Sequence, residues 1–415
     1  MVSQSTSTDR VNKNFSNPFP GLFAYNHQKI QFFPDYHLQK YELLKRVTER
    51  PFTALMGGEF SGKTSLVNSE IIPTLLDGFF AHKSDTWNIT SLRISNSPLT
   101  QLAYALSELI LNKHSENELP ANLAELILIT LKTKKLSIIE VSEQYKLTEN
   151  SNILIFVDQL ENLYDSSEKS EVQLFIECIV EVARQNAYPI HILAATRQSI
   201  IPKLAGNHDL LSLINSSQFI LKDIDKSVLR TVLETYTDKS EITFKKPFIE
   251  YILQYYQSNE FNITRFQHTM MRAVDHAVET GFYPILNKKN VEEVGGLSDS
   301  IGKQLEEIYQ NSDKHEKSLI RRLFQLLTGL NQEGGLVFER RLATELCDSL
   351  EIELHDLSEI LERFTSTSCG ALSFENSKCV ITRLQRLDKS GAHCGVDPNA
   401  RRFALITRKD VVYNW

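Results

Sequence analysis

The chain has 415 residues, 41% of them hydrophobic and 23% charged, and carries a formal net charge of −7. An ordinary hydrophobic fraction supports a sizeable core spread over about two to four domains, and the acidic balance argues against a chain built mainly to hold nucleic acid. No apolar run reaches the roughly 20 residues that a membrane-spanning helix requires, and Met1–Arg10 lacks the apolar stretch of a secretory signal. Cys178, Cys347, Cys369, Cys379 and Cys394 form no C-x-x-C pair and match no zinc spacing. Such a sparse, odd set fits the reduced thiols of a cytoplasmic protein.

Residues 1–16, rich in Ser, Thr and Asn, are expected to be disordered. The first apolar run, Phe52–Met56, reads as a buried strand. It leads into Gly57-Gly58-Glu59-Phe60-Ser61-Gly62-Lys63-Thr64-Ser65, which satisfies G-x-x-x-x-G-K-[ST], and a helix is expected over Thr64–Leu76. Strand, loop and helix in that order favour a phosphate-binding loop over a chance glycine-rich turn. Gly57 and Gly62 allow successive backbone N–H groups to converge on phosphate oxygens, and the helix N-terminus adds its positive end. Lys63 is expected to reach the β- and γ-phosphates, with the Thr64 hydroxyl on Mg²⁺. The implied ligand is a nucleoside di- or triphosphate.

Further strands are expected at Trp87–Ile94, Ile153–Val157, Ile190–Ala195 and Gln218–Leu221, with helices at Leu99–Leu111, Val172–Gln185 and Ser199–Leu204. This alternation predicts a parallel sheet covered on both faces. Leu119-Pro120 followed by Leu123, Leu126, Leu128 and Leu131 reads as an inserted helix. From Asp223 the β-rich runs stop, and Leu229–Tyr236, Phe248–Tyr256 and Phe266–Val278 show helical spacing, so an all-helical region is expected. A third region opens near Gly295-Gly296. Helices at Ser298–Tyr309, Lys314–Leu330, Leu342–Leu350 and Leu354–Phe364 precede β-like runs at Leu372–Phe374, Val380–Leu384 and Phe403–Ile406, a pattern that suggests a winged helix. The expected fold class is α/β: a P-loop NTPase domain with a parallel sheet over 17–222, a helical domain over 223–290 and a winged helix over 291–415, incomplete at its C-terminal end.

The strand Ile153–Val157 ends in Asp158, as a Walker B segment presents its carboxylate to the Mg²⁺ shell. Gln159 stands where many hydrolysing relatives of such loops carry a Glu, so Glu161 is the nearest candidate base and slow hydrolysis is the expectation. The strand Ile190–Ala195 ends in Thr196-Arg197. A cation there reads the γ-phosphate, or else it caps the sheet edge; both readings stay open. Lys63, Asp158, Glu161 and Arg197 are thus the candidate catalytic set, with Thr64 and Asp158 at the metal.

On these residues the chain resembles the novel STAND group of P-loop ATPases. Asn17-Pro18-Phe19-Pro20-Gly21-Leu22 resembles the family's opening motif, and Gly57–Thr64 with Leu66-Val67 its phosphate loop. Asp158-Gln159-Leu160-Glu161-Asn162-Leu163-Tyr164 is similar to its Asp-Gln-x-Glu-x-x-aromatic Walker B, Thr196-Arg197 falls at its sensor Arg, and Gly295-Gly296 at the start of its winged helix. The resemblance implies ATP and ADP as ligands, an ADP-bound closed form, ATP-driven opening with homo-oligomerisation, and flanking effector and sensor domains. A common role of the family is antiphage defence. The chain departs from the family at Phe32-Phe33-Pro34-Asp35-Tyr36, where relatives carry Phe-Phe-Gly-Arg-Glu, and at Thr264, where they carry a base-contacting Pro. Arg408 occupies the place of a His that contacts ADP phosphates, and either binds phosphate as a fixed cation or faces solvent.

By this resemblance Trp415 falls part-way through the family's last helix, and no room is expected for an effector before residue 17 or for a repeat-type sensor after Trp415. The chain is therefore expected to be a piece of a longer protein or to borrow both from partners. Two functions of different class follow: a slowly hydrolysing ATP switch, or a hydrolysis-inactive nucleotide-bound scaffold. Arg321-Arg322, Arg340-Arg341 and Arg401-Arg402 are the only support for a nucleic-acid partner, and such pairs are usually solvated surface.

Overall fold

The structure, a computed structural model, describes residues 17–25, 37–58, 61–79, 81, 84–94, 97–114, 119–133, 137–165, 169–222, 225–240, 242–256, 263–281, 285–330, 336–338, 341–366, 369, 372–374 and 402–405. The expectations for residues 1–16 and for Pro34, Glu59, Phe60, Val380–Leu384 and Arg408 fall outside these. The chain divides into two compact units, Ala24–Val232 and Met1–Phe23 with Leu233–Trp415.

The first unit is built on a five-stranded parallel sheet ordered β2-β3-β4-β1-β5. The strands are β1 (Phe52–Gly57), β2 (Trp87–Arg93), β3 (Asn152–Asp158), β4 (Ile190–Arg197) and β5 (Gln218–Ile220). β1, β3 and β4 are buried along almost their whole length, as near-continuous apolar runs require in a sheet covered on both faces. α1 (His37–Glu49) precedes β1, and Arg50, just after it, donates from Nη1 to Ser216 O at 2.8 Å. No element is expected there from the sequence, although Leu43, Leu44 and Val47 stand at helical spacing and are buried.

The helix after the loop is not uniform. α2 (Lys63–Leu66) runs into a π-helical segment, Val67–Ile71, before α3 (Ile72–Leu76). Pro73 explains the change: it has no N–H to give Ser69 O, and its ring would crowd that carbonyl in an unbroken α-helix. α4 (Pro98–Lys113) starts with proline at its first position, where the missing N–H costs nothing. The inserted segment forms two helices rather than one, α5 (Leu123–Thr133) and α6 (Ser137–Gln144). Leu123, Ile127 and Leu131 make the buried stripe of α5, whereas Leu126 is on its exposed side. α7 (Lys169–Ala183), a 3₁₀ stretch over Gln198–Gly206 and α8 (His208–Ser217) complete this layer, with the Asn207 side chain capping α8. Phe175, Ile179, Ile153, Ile155 and Ile192 sit in its continuous core.

The second unit begins within α9 (Lys226–Lys239) and continues through α10 (Lys246–Tyr256), α11 (Ile263–Glu279), α12 (Lys288–Glu293) and α13 (Gly296–Gln310). This region is helical except for a short parallel pair, β6 (Thr243–Phe244) with β7 (Ile285–Leu286), which the spacing of apolar residues did not reveal. Residues 17–23 pack into this unit. Asn17 Nδ2 donates to Met271 O at 2.8 Å and to Asp275 Oδ1 at 2.7 Å, and the Phe19 ring stacks on Tyr236 with centroids 4.3 Å apart. Gly295 has φ 105°, and a Cβ there would lie 2.8 Å from Asp299 O and 2.9 Å from Ser300 Cα. Only glycine fits.

Next come α14 (Lys314–Leu326), β8 (Thr328–Leu330), β9 (Leu336–Phe338), β10 (Arg341–Leu342), α15 (Ala343–Leu350), α16 (Leu354–Thr365), β11 (Leu372–Phe374) and β12 (Arg402–Leu405). α14 opens with an Asp313/Glu316 capping box and stops four residues before the expected Leu330, where β8 pairs antiparallel with β9. The β-branched Thr328 and the flexible Gly329 favour that ending. β10-β12-β11 form an antiparallel sheet, and the core of this region includes Ile320, Leu323, Leu357, Leu361 and Phe364. No described helix is long and apolar enough to cross a membrane.

Candidate functional site

The chain reverses direction across the sheet between β1 and β4, and the carboxyl ends of the strands at such a point are where open parallel sheets take ligands. Register places Gly57 at the end of β1 beside Arg197 at the end of β4, and Arg93 at the end of β2 beside Asp158 at the end of β3. Four strand ends, Gly57, Arg93, Asp158 and Arg197, therefore line one edge of the sheet, although they are spread over 141 positions of sequence from 57 to 197.

Gly57 lets the loop side chain of Ser61 fold back over the end of β1. A Cβ on it would stand 2.5 Å from Ser61 Oγ. Gly62 has φ 87°, the left-handed turn that starts α2. Lys63 Nζ donates to Gly58 O at 2.7 Å and to Gly57 O at 3.2 Å, so the ammonium lies over the loop and not away from it. The Ser65 hydroxyl accepts from Tyr25 N at 3.2 Å.

The Thr64 hydroxyl donates to Asp158, 3.0 Å from Oδ1 and 3.2 Å from Oδ2. This contact joins the loop to the end of β3 across 94 residues of sequence. Burial pushes the Asp158 carboxyl above the ordinary carboxylate range; the Arg93 charge and the Thr64 hydrogen bond act the other way. A carboxylate and a hydroxyl side by side supply hard oxygen ligands of the kind Mg²⁺ takes, so these residues fit that ion.

Glu161 and Arg197, both candidates from sequence, engage one another. Arg197 Nε lies 2.9 Å from Glu161 Oε1, and Arg197 N donates to Glu161 Oε2 at 3.2 Å. Both carboxylate oxygens thus have a partner on the same residue. The turn before them contains a group that sequence reasoning missed. Gln159 has φ 57°, in the left-handed region that a side chain of this size rarely occupies. Its N–H donates to Asp158 Oδ1 at 3.1 Å, while its Oε1 accepts from Arg93 Nε at 2.9 Å and from Asn162 Nδ2 at 3.1 Å. Arg93 had a signal available, since it ends its strand in a cation as Arg197 does; Asn162 had none outside the motif it belongs to.

The novel STAND NTPase 1 family model matches residues 18–369. No curated protein sequence shows significant similarity to the chain. Several solved structures are similar in fold. Aeropyrum pernix ORC1, solved in complex with DNA, is 13% identical, with 93% of each chain covered and a TM-score of 0.46. Aeropyrum pernix ORC2, solved as ADPNP–ADP complexes, is 15% identical, with 94% of this chain and 98% of that chain covered and a TM-score of 0.45. Domain III of the Thermotoga maritima replication initiation protein DnaA is 14% identical, with 64% of this chain and 94% of that chain covered and a TM-score of 0.40.

Proposed function

The chain belongs to the novel STAND NTPases, nucleotide-binding P-loop proteins of the regulatory ATPase class, and from that premise we propose that it is an ATP-dependent switch with slow hydrolysis. The observation that carries this reading is the Thr64–Asp158 contact, which unites the loop hydroxyl and the Walker B carboxylate at one point. In the proposed site, loop amides over 57–65 and the helix N-terminus cradle the phosphates and Lys63 neutralises the outer ones. Thr64 and Asp158 would hold Mg²⁺, which when bound draws charge off the phosphate oxygens. Arg197 stands as the phosphate-sensing cation and Glu161 as the base, and Arg408 is a further phosphate ligand of the proposal.

The ion pair between Glu161 and Arg197 supports slowness. Both Glu161 oxygens are held by Arg197, which fixes the carboxylate and narrows the directions from which a water can reach it. A γ-phosphate competing for the Arg197 guanidinium is the natural trigger for releasing it. We assign the parts as a nucleotide-binding domain over 17–222, a helical domain over 223–290 and a winged helix over 291–415. Three helices α14–α16 beside the antiparallel β10-β12-β11 sheet support the last of these. Output is proposed to be a nucleotide-dependent conformational change with homo-oligomerisation, acting with an effector or sensor partner in a cytoplasmic signalling setting such as antiphage defence.

The same ion pair also favours a second reading, a nucleotide-bound scaffold without turnover. One experiment separates the two. Purified protein is incubated with ATP and Mg²⁺ while phosphate release and particle mass are followed, for wild type and Lys63→Ala. The switch predicts slow release and growth in mass, both lost in the variant. Bound nucleotide with neither release nor growth leaves the scaffold.

A further inference from the structure

The site contains a second set of contacts that the switch reading does not use. Gln159, next to the Walker B carboxylate, is held at three points: by its own N–H on Asp158, and at its side-chain oxygen by Arg93 and Asn162. Asn162 also donates Nδ2 to Ile94 O at 3.1 Å and its backbone N to Gln159 O at 3.0 Å, while Ile94 N donates to Asp158 O at 3.0 Å. The end of β2 is thereby stitched to the turn that follows β3. That turn carries the left-handed Gln159 and leads straight into the 3₁₀ segment Leu160–Asp165, on which Glu161 sits.

A non-glycine residue at φ 57° is an unfavourable backbone state that persists only where its surroundings impose it. Here the imposing groups are identifiable, because the side-chain oxygen of Gln159 is the shared acceptor of both donors. Two bonds to one oxygen hold the residue more firmly than one, and the donor from Arg93 carries charge. With Gln159 fixed, Glu161 two residues on is presented to Arg197 and nowhere else. Arg93 itself is exposed, so its contribution to the core is small.

We propose that Arg93 is a positioning residue for turnover: through the oxygen of Gln159 it holds the 158–162 turn in the arrangement that keeps Glu161 paired with Arg197, and so sets a slow rate of hydrolysis. This inference rests on the nucleotide site proposed above. Release of the clamp lets Gln159 relax to an ordinary negative φ, shifts Glu161 off Arg197 and leaves its carboxylate able to turn towards a water. Lys63, Thr64 and the loop amides take no part; the clamp reaches the proposed metal ligand Asp158 only through the Gln159 N–H and the Arg93 charge, so the main grip on the phosphates is kept.

The test uses the full chain and four variants: Arg93→Ala, Gln159→Leu, Arg93→Lys, and Arg93→Ala combined with Glu161→Gln. ATP binding is measured by calorimetry and phosphate release in a steady-state assay. The clamp predicts a several-fold rise in kcat for Arg93→Ala and Gln159→Leu, with KM and the ATP Kd within about twofold of wild type. Arg93→Lys, which restores a charged donor, returns kcat towards the wild-type value, and Glu161→Gln removes the gain. A purely structural role predicts instead a lower melting temperature with kcat unchanged or reduced, which overturns the inference. So does an Arg93→Ala protein that binds ATP as wild type does and turns over no faster, including the case in which wild type has no turnover. Absence of ATP binding by the wild type overturns the nucleotide site as well, and is read before any variant.

Discussion

Two polar clusters in this protein look alike as hydrogen-bond diagrams and differ in what they can do. The first lies at the carboxyl ends of β1–β4, where Lys63 donates to the loop carbonyls of Gly57 and Gly58, Asp158 accepts from Thr64 and Gln159, and Glu161 pairs with Arg197. The second lies between α11 and α13. There Thr269 donates to Ser300 Oγ at 2.7 Å, Ser300 lies 2.9 Å from His268 Nδ1, and His268 Nε2 lies 2.8 Å from Gln304 Oε1. Gln304 Oε1 can only accept, so Nε2 carries the proton and Nδ1 accepts from Ser300. His268, Thr269 and Ser300 are wholly buried, whereas Lys63, Thr64 and Arg197 are within reach of solvent.

Exposure decides the difference. At the sheet edge, internal bonds can be exchanged for bonds to water, and the donors Lys63, Thr64 and Arg197 can turn to an anionic ligand in the proposed function. Between α11 and α13 no exchange is possible without unpacking the helices, and a closed network of that kind fixes one helix against the other. Arg272 adds to the fixation by donating from Nη1 to Val294 O and Ser300 O, both at 3.0 Å, and by pairing with Glu307.

If that contrast is right, the helical cluster is where substitutions cost stability and the sheet edge is where they cost function. Gly295→Ala is the most damaging change expected: strain at φ 105° and overlap with the α13 backbone should lower unfolding free energy by about 3 kcal/mol or more, read from a urea melt. Next is acid. Burial holds the His268 imidazole down to about 4 from 6.5, with the Arg272 charge adding to the shift and the Gln304 hydrogen bond opposing it. The unfolded chain therefore binds the extra proton first as pH falls. The His268 contribution is complete above pH 6.5, declines between 6.5 and 4 and reaches a loss of about 3 kcal/mol, and His268→Gln should flatten this slope in melts taken across that range.

Smaller effects sharpen the same comparison. Ser300→Ala leaves a buried His268 nitrogen and the Thr269 hydroxyl without their shared partner, and should cost about 1–3 kcal/mol by chemical denaturation while ATP affinity stays unchanged. Arg184→Ala breaks an exposed pair with Asp209 and should fall within about 0.5 kcal/mol of wild type in the same assay.

Much of the sheet was legible because its strands are buried on both faces and read as uninterrupted apolar runs. β1, β3 and β4 were placed within about two residues of their observed ends, and Asp158 and Arg197 at the ends of two of them. The misses are local. α1 was passed over although Leu43, Leu44 and Val47 stand at helical spacing; the π segment at Val67–Ile71 answers a proline that lies further along; and β6 and β7 are only two residues each. Within the candidate site, loop spacing pointed to Lys63 and Thr64, and a buried apolar run ending in a carboxylate pointed to Asp158. Neither located the Arg93–Gln159 contact or the Glu161–Arg197 pair, because partners 66 and 36 positions apart are brought together by sheet order and not by any sequence pattern.

The central claim is that the loop and the Walker B strand form one nucleotide site. Calorimetric titration of the full chain with ADP and with ATP, in the presence of Mg²⁺, tests it most directly when wild type is compared with Lys63→Ala. The account predicts a single saturable site in the wild type and an affinity reduced by about a hundredfold in the variant, the scale set by losing charge-assisted bonds to phosphate. Equal binding by the two proteins, or no binding by a folded wild type, would contradict it.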